Sequence, residues 1–278
     1  MKKTILITGI TGHQGGAVYN SLDKDLFNVI GLTRNIHSKK TKKIKGIELF
    51  EGDLNSPTSL TPLVGRIDLI FLVTDFWAGE KKEIEHARNL IGVFKDTCKH
   101  IVFSSTPTSV FKDTFPHSNS KFQIEKLIQN SGIPYTFIRP GFFMEIFREK
   151  EFVPMITLGM MKKNISSEKK LPFVSIVDIG IAVSKIFNRY EHNNKKDICL
   201  ISEYVSLNEY CKLHKKVIGH KPWSASFPNS LFKLFVSKEL LKMWHWFNSN
   251  ELKFNISQQF SEFKPELSFE RWLQNNYN

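Results

Sequence analysis

The feature that most restricts this chain is its opening stretch, Thr4-Ile5-Leu6-Ile7-Thr8-Gly9-Ile10-Thr11-Gly12-His13-Gln14-Gly15-Gly16. A short apolar run rich in β-branched residues breaks into glycines at Gly9, Gly12 and Gly15, and a helical pattern follows. That order predicts a strand, a tight turn and the start of a helix. Gly9 permits the sharp turn, Gly12 lets the backbone approach a diphosphate, and Gly15 lets helix and strand pack closely. The helix N-terminus adds unsatisfied N–H groups and the positive end of its dipole. The competing reading is a glycine-rich turn that holds no ligand.

The pattern continues as alternating strands and helices to about residue 140. Phe27–Thr33, Ile47–Phe50, Asp68–Thr74, Ile101–Ser104 and Tyr135–Arg139 read as strands two to six, with helices over roughly 80–98 and from near Ser118. Leu69-Ile70-Phe71-Leu72-Val73 is a continuous apolar run, as expected of a parallel strand buried on both faces. The expected fold class is therefore α/β, a Rossmann-type doubly wound parallel sheet over residues 1–150. Residues 150–170 read as a basic loop, and 171–203 as a return to the same sheet. The aromatic tail from about Ser206 completes a smaller, mainly helical C-terminal lobe, 151–278, for substrate or partner. Trp223, Phe227, Phe232, Phe235, Trp244, Trp246, Phe247 and Trp272 either line a pocket there or pack the lobe.

Composition limits the setting. Cys98, Cys199 and Cys211 are odd in number and widely spaced among 278 residues, which argues against a disulfide framework and for a reducing compartment. No apolar run approaches the ~20 residues that span a bilayer. Met1-Lys2-Lys3 runs straight into the first strand, leaving no room for a signal peptide. A cytoplasmic protein is expected, with the nucleus left open and no membrane partner. The net charge of +12 could attract nucleic acid, but no nucleic-acid fold signature accompanies it. The lysines therefore read as solvated surface, and nucleic acid is not an expected partner. Cys211-x-x-His214 with His220 offers too few ligands for zinc, so no metal is expected.

The cofactor reading is more specific. After strand two, where an acidic residue would hold the ribose hydroxyls of NAD, the chain has Arg34 followed by Asn35. A guanidinium pairs with a 2′-phosphate and stacks on adenine, and Lys39 and Lys40 are near in sequence. NADP(H) is thus expected in preference to NAD(H). The expected cofactor contacts begin with the turn residues Gly9, Ile10, Thr11, Gly12, His13, Gln14 and Gly15. Arg34, Asn35 and Lys39 follow, then Asp53 and Leu54 after strand three, Thr74, Asp75 and Phe76 after strand four, Lys121, and Phe143. Asp53 either accepts from the adenine amino group or starts the turn before Ser56. Phe142-Phe143-Met144-Glu145 either covers the nicotinamide or is core.

A short-chain dehydrogenase places a serine after strand five and then Tyr-x-x-x-Lys. This chain has Ser104 and Lys121, but His117 occupies the tyrosine's place and no Tyr-x-x-x-Lys occurs in the sequence. Lys121 is the candidate ligand of the nicotinamide ribose. His117 is either a proton carrier or a polar residue opening the helix. The GxxGxxG spacing points to the extended short-chain branch of dinucleotide folds.

Taken together, the chain resembles the NmrA-like family, an atypical branch of the short-chain dehydrogenases. The likeness rests on Thr8–Gly16, Leu32-Thr33-Arg34-Asn35, Phe71–Trp77 and His117-x-x-x-Lys121. To these add Ile133–Arg139 running into Phe143-Met144-Glu145, Val177-Asp178-Ile179-Gly180, and Leu267–Leu273. The resemblance implies an NADP(H)-binding Rossmann domain with a small C-terminal lobe, and is most similar to the redox-sensor members. Those lack the dehydrogenase tyrosine and change partner contacts or self-association with the NADPH/NADP ratio. Other members are NAD(P)H-dependent reductases of quinones, dyes or phenylpropanoids. Two departures stand out: Ile146 follows Phe-Met-Glu where the family commonly has Asn, and Asp75 follows Thr74 where Asn is frequent.

Overall fold

The structure is a computed structural model that describes residues 2–111, 114–148, 152–251 and 261–277. Its strands are β1 (Lys3–Ile7), β2 (Phe27–Thr33), β3 (Glu48–Glu51), β4 (Leu69–Leu72), β5 (His100–Ser104), β6 (Tyr135–Pro140), β7 (Phe142–Phe143), β8 (Leu171–Val174), β9 (Lys196–Leu200) and β10 (Glu203–Val205). Its helices are α1 (His13–Ser21), α2 (Glu80–Phe94), α3 (Pro116–Asn130), α4 (Phe152–Asn164), α5 (Ile176–Asn188), α6 (Leu207–Ile218), α7 (Asn229–Phe235), α8 (Lys238–Ser249) and α9 (Phe269–Tyr277). The chain divides into two compact units, 1–139 with 179–198, and 140–178 with 199–278.

The first unit carries a sheet of order β3-β2-β1-β4-β5-β6-β9, with parallel pairing from β3 through to β6. The strand order reverses between β1 and β4, which makes that gap the topological switch point where ligands bind in such sheets. Leu69, Ile70, Phe71 and Leu72 of β4 are fully buried, because a parallel sheet is covered on both faces. On one face, Leu6, Ile70, Leu72, Ile101 and Phe103 pack with Leu90 and Phe94 of α2 and Ile124 and Ile128 of α3. Each such side chain contributes about 1.5–3 kcal/mol by leaving water. The expected helix at 80–98 ends at Phe94, and the one expected near Ser118 begins at Pro116, whose fixed φ suits a first helical turn.

Deep in this sheet, Arg139 at the end of β6 bonds Glu125 of α3 through both guanidinium arms, at 2.7 and 3.2 Å. Ser105 and Ser109 also donate to Glu125, so its buried charge is both paired and hydrogen-bonded.

The second unit holds a three-stranded sheet of order β10-β8-β7. Residues 171–174, expected in the main sheet, pair here instead, with β7 in parallel and β10 antiparallel. Residues 140–150 group with this unit as well, while β9 joins the seven-stranded sheet. The supposed loop at 150–170 is largely α4, whose Val153, Met155, Ile156, Leu158, Met160 and Met161 give it more apolar character than a loop needs. Residues 150 and 151 lie outside the described ones. Among the tail aromatics, Phe232, Trp244, Phe247 and Trp272 are buried, whereas Trp223 and Phe235 are 73% and 75% exposed. No helix among the described residues is long and apolar enough to cross a membrane.

Glu145 gathers donors from separate parts of this unit. Its Oε1 accepts from Ser175 Oγ at 2.9 Å and Trp272 Nε1 at 3.0 Å, and its Oε2 accepts from the Ile176 N–H at 3.1 Å. Asp178 does the same for the backbone of Glu266 and Leu267. Two buried carboxylates thereby fasten α9 and the segment leading into it to positions 88 to 127 residues earlier in the chain.

His100 on β5 is fully buried, with Nε2 2.8 Å from Thr136 Oγ1. Thr136 gives its own proton to the Asn193 carbonyl at 2.6 Å, so Nε2 is the donor and the imidazole is neutral. A second proton at Nδ1 meets no acceptor among the described residues, and burial depresses the pKa to about 4. A pKa lowered on folding means that stability is full above the unfolded value, about 6.5, and is lost as pH falls toward 4. We expect the stability advantage of wild type over His100→Gln, read from urea midpoints, to shrink between pH 7.5 and 4.5. An advantage independent of pH contradicts the neutral, buried imidazole.

Candidate functional site

The expected phosphate turn begins where β1 runs out. Thr8 extends the β1–β4 pairing by one residue through its side chain, accepting from the Val73 N–H and donating to the Val73 carbonyl, both at 2.8 Å. Gly9 then takes φ +59°, a conformation that costs a side-chain-bearing residue 1–2 kcal/mol or so. The Gly12 N–H closes the turn on the Gly9 carbonyl at 2.9 Å, and α1 starts at His13. Gly12 is the N-cap and no side chain caps the helix; its first turn holds no acidic residue. The positive end of the α1 dipole therefore faces the switch point uncompensated.

The three glycines are not equivalent. A Cβ at Gly15 would lie 2.3 Å from the Gly9 carbonyl oxygen and 2.9 Å from Ile10 Cα, which are backbone atoms with nowhere to go. At Gly12, where the backbone is extended, it would lie 3.2 Å from the same oxygen. Gly15 is thus a packing requirement of the strand–helix corner, and Gly12 leaves the mouth of the turn open.

Of the other expected contacts, those within the first unit lie on the same carboxyl edge of the sheet or in loops that leave it. Arg34 and Asn35 follow β2 and are exposed, and the loop that continues from them is braced internally. Thr41 Oγ1 donates to the Ile36 carbonyl at 2.9 Å, and Glu51 accepts from the Ile36 N–H at 3.0 Å. Lys39 is exposed on that loop. Asp53 spends Oδ1 on the Asn55 backbone N–H (2.9 Å) and side-chain amide (2.8 Å), and these bonds hold its carboxyl below the usual range. With the Ser56 N–H on its carbonyl at 2.8 Å, Asp53 builds the turn that leads to Ser56. The Leu54 carbonyl accepts from Asn89 at 2.8 Å. Asp75 caps a short 3-10 turn by accepting from the Trp77 N–H at 3.1 Å. Phe143 lies on β7, in the second unit. A hollow of about 390 Å³ lined by Thr4, Tyr19, Lys24, Asn28, Glu48 and Arg66 sits at the opposite, amino edge of the strands and involves none of these residues.

The would-be catalytic residues form two closed arrangements. Ser104 is buried and donates its proton to Gln14 Oε1 at 2.6 Å, tying β5 to the first turn of α1. Lys121 is 3% exposed, its Nζ 2.7 Å from Thr74 Oγ1 and 3.0 Å from Glu83 Oε1. Thr74 passes its own proton to Glu83 Oε1 at 2.7 Å, and Ser120 donates to Glu83 Oε2. His117 Nδ1 lies 3.9 Å from Glu83 Oε2, with its ring 4.9 Å from that of Phe76, which in turn packs on Trp77 at 4.4 Å. Burial alone would raise the acid of Glu83; the adjacent Lys121 ammonium, with His117 and Ser120, outweighs it and holds the carboxyl far below its ordinary range.

Glu83 was missed in the sequence, although a signal exists. It belongs to the Glu83, Ala87, Leu90, Ile91, Phe94 stripe of α2, all buried, so a carboxylate stands on an otherwise apolar helix face. Such a residue needs a cation, and Lys121 is the partner the fold brings to it.

The sequence model of the NmrA-like family matches residues 1–273. This chain belongs to the NmrA-like family. An NmrA-like family domain-containing protein of Dictyostelium discoideum is 28% identical over 240 residues, spanning 80% of this chain and 79% of that relative. Among solved structures, the NmrA-like chain resembles the NADPH-dependent quinone oxidoreductase of Escherichia coli in complex with NADPH. That likeness has TM-score 0.79 and 18% identity and covers 99% of this chain and all of that one. It also resembles NmrA, a negative transcriptional regulator, in complex with NADP, at TM-score 0.74 and 20% identity over 99% of this chain and 95% of that one. Both likenesses are of fold.

For this NmrA-like protein, Gly15→Ala is expected to lower stability by about 1–3 kcal/mol, the ordinary cost of overpacking against backbone. Gly12→Ala is expected to stay within about 0.5 kcal/mol of wild type. Chemical denaturation of both variants checks the contrast; equal effects would mean that the corner is not close-packed at Gly15.

Proposed function

We propose that this chain binds NADP(H) at the glycine turn and works as a redox sensor, its conformation or partner binding following the NADPH/NADP ratio. In this reading the diphosphate takes the uncapped N-terminus of α1, and Arg34, with Lys39, meets the 2′-phosphate. Lys121 offers an N–H to the nicotinamide ribose. The bound group supplies hydride chemistry when an acceptor is present. The observation that carries the regulatory reading is the state of the three usual dehydrogenase groups. Ser104 gives its proton to Gln14, the tyrosine is absent, and Lys121 is pinned by Glu83 and Thr74. A site built this way binds and orients well but has no phenol to deliver a proton.

The second reading, an NAD(P)H-dependent reductase of quinones or similar small acceptors, is favoured by the position of His117. It stands one helical turn before Lys121, against the Phe76 ring and beside a carboxylate, where it could hold the acceptor's proton. The Escherichia coli quinone oxidoreductase supports this reading by likeness. A second copy of the chain or a regulatory protein is the partner class that the sensor reading requires.

Calorimetry on cofactor-stripped protein is expected to show NADPH binding at least about tenfold tighter than NADH, a difference of ~1.4 kcal/mol. Arg34→Ala should remove that preference while leaving NADH affinity alone. Equal or tighter binding of NADH overturns the preference. To separate the two roles, NADPH oxidation is followed spectrophotometrically with a panel of quinones and azo dyes. The sensor reading expects no sustained turnover, together with a cofactor-dependent change in protease sensitivity or assembly size. Sustained oxidation that is lost in Lys121→Ala replaces it with the reductase.

A further inference from the structure

We infer that Glu83 is the positioning residue of this site: its carboxylate fixes the place and the charge of Lys121 for contact with a bound nucleotide. The inference rests on the cofactor reading above for its ligand, and on the geometry of the unliganded protein for its substance. Three segments of the chain meet at the carboxylate. It comes from the first turn of α2, receives Thr74 from the end of β4 and both Ser120 and Lys121 from α3, and is 1% exposed. Both oxygens are occupied, Oε1 by Thr74 and Lys121 and Oε2 by Ser120, so the group cannot rotate without breaking bonds. The direction of each proton follows: Thr74 donates to Glu83, which leaves its lone pair to accept from Lys121. Of the ammonium's three N–H groups, one is directed at the Thr74 hydroxyl, and Glu83 Oε1 stands 3.0 Å from the nitrogen as its counter-ion.

The electrostatics point the same way. The groups facing Lys121 Nζ are Glu83 from α2, the Thr74 hydroxyl after β4 and the Phe103 ring from β5, whose centroid is 5.0 Å away. His117, one turn earlier on α3, faces Glu83. Glu83 is therefore the anion in contact with a buried cation. A buried ammonium without its anion sheds its proton readily, since burial disfavours the charged form. Glu83 thus supplies the opposite charge in contact with the Lys121 ammonium.

A purely structural ion pair and a positioning role diverge in their pH profiles. NADPH affinity is measured by calorimetry from pH 7 to 9.5 in wild type, Glu83→Gln, Lys121→Met and the double variant. Glutamine keeps the volume and the bond from Ser120 but removes the charge. The expected result is a wild-type affinity that varies less than about threefold over this range, and a Glu83→Gln affinity that falls at least about tenfold toward pH 9.5 as Lys121 deprotonates. In the Lys121→Met background, where no ammonium remains, Glu83→Gln should change affinity by less than about twofold and show no slope. Parallel pH profiles in wild type and Glu83→Gln, or an equal loss in both backgrounds, overturn the inference. If Glu83→Gln does not fold, Glu83→Asp replaces it, and its loss of affinity must vanish in Lys121→Met. Titration of the Lys121 side-chain nitrogen by NMR in the unliganded protein gives an answer that needs no cofactor. The midpoint should move down by more than one pH unit in Glu83→Gln, and an unmoved midpoint sinks the inference. Failure of wild type to bind NADPH sinks the cofactor reading instead.

Discussion

The approach of the first helix to the strand before it governs the rest of the first unit. At Gly15 the backbone of α1 lies so near the Gly9 carbonyl that no Cβ fits between them, and the turn from Gly9 to Gly12 is drawn tight as a result. That contact aims the start of α1 at the gap between β1 and β4. It also sets Gln14 where its side chain reaches Ser104 on β5, two strands away from β1 in the sheet. A looser corner would lose both the direction of the dipole and the link across the sheet edge. The direction of the α1 dipole at this place is accordingly a property of backbone packing, with no side chain capping the helix.

Both units surround their buried carboxylates with donors. In the first, Glu83 faces Lys121 and Glu125 faces Arg139, and each carboxylate also collects hydroxyl donors. Burying an ion costs several kcal/mol even after relaxation, so attraction alone would not hold such pairs without these extra bonds. In the second unit, Glu145 and Asp178 are met by hydroxyl, indole and backbone N–H donors. Each pair of the first unit has one member on α3, with the other on α2 or β6. The carboxylates of the second unit tie together segments that lie far apart in the chain.

What could be read from the sequence follows the range of the physics involved. The glycine turn and the parallel strands were legible because their signals are local: the run of apolar β-branched residues, the breaks at Gly9 and Gly12, and the continuous run Leu69–Val73 each fit in a short window. Family membership was legible because several such windows occur in order. The helix over Phe152–Asn164 was hidden by its basic end, Lys162-Lys163, and by Pro154, which suits a first turn as well as a loop. Leu171–Val174 was placed in the wrong sheet because a short apolar strand says nothing about which edge it will pair with. Glu83 escaped notice because its partner is 38 positions further along, and only the packing of α2 against α3 joins them. Arg34, Lys39 and Lys121 could be nominated by residue type, whereas their directions depend on loops and packing that a one-dimensional pattern does not carry.

The junction of Trp272 with Glu145 has a consequence for how this protein ages. Because the indole of the final helix supplies one of the donors that keep a buried acid satisfied, the tail and the middle of the chain are held in common. A carboxypeptidase that trimmed into that helix would do more than shorten a loose end. It would take away the indole donor of Glu145 and the Phe269 ring against which Phe147, Phe173 and Tyr210 pack. The first bite would open the way to the next, and damaged copies would be cleared whole instead of lingering as stubs.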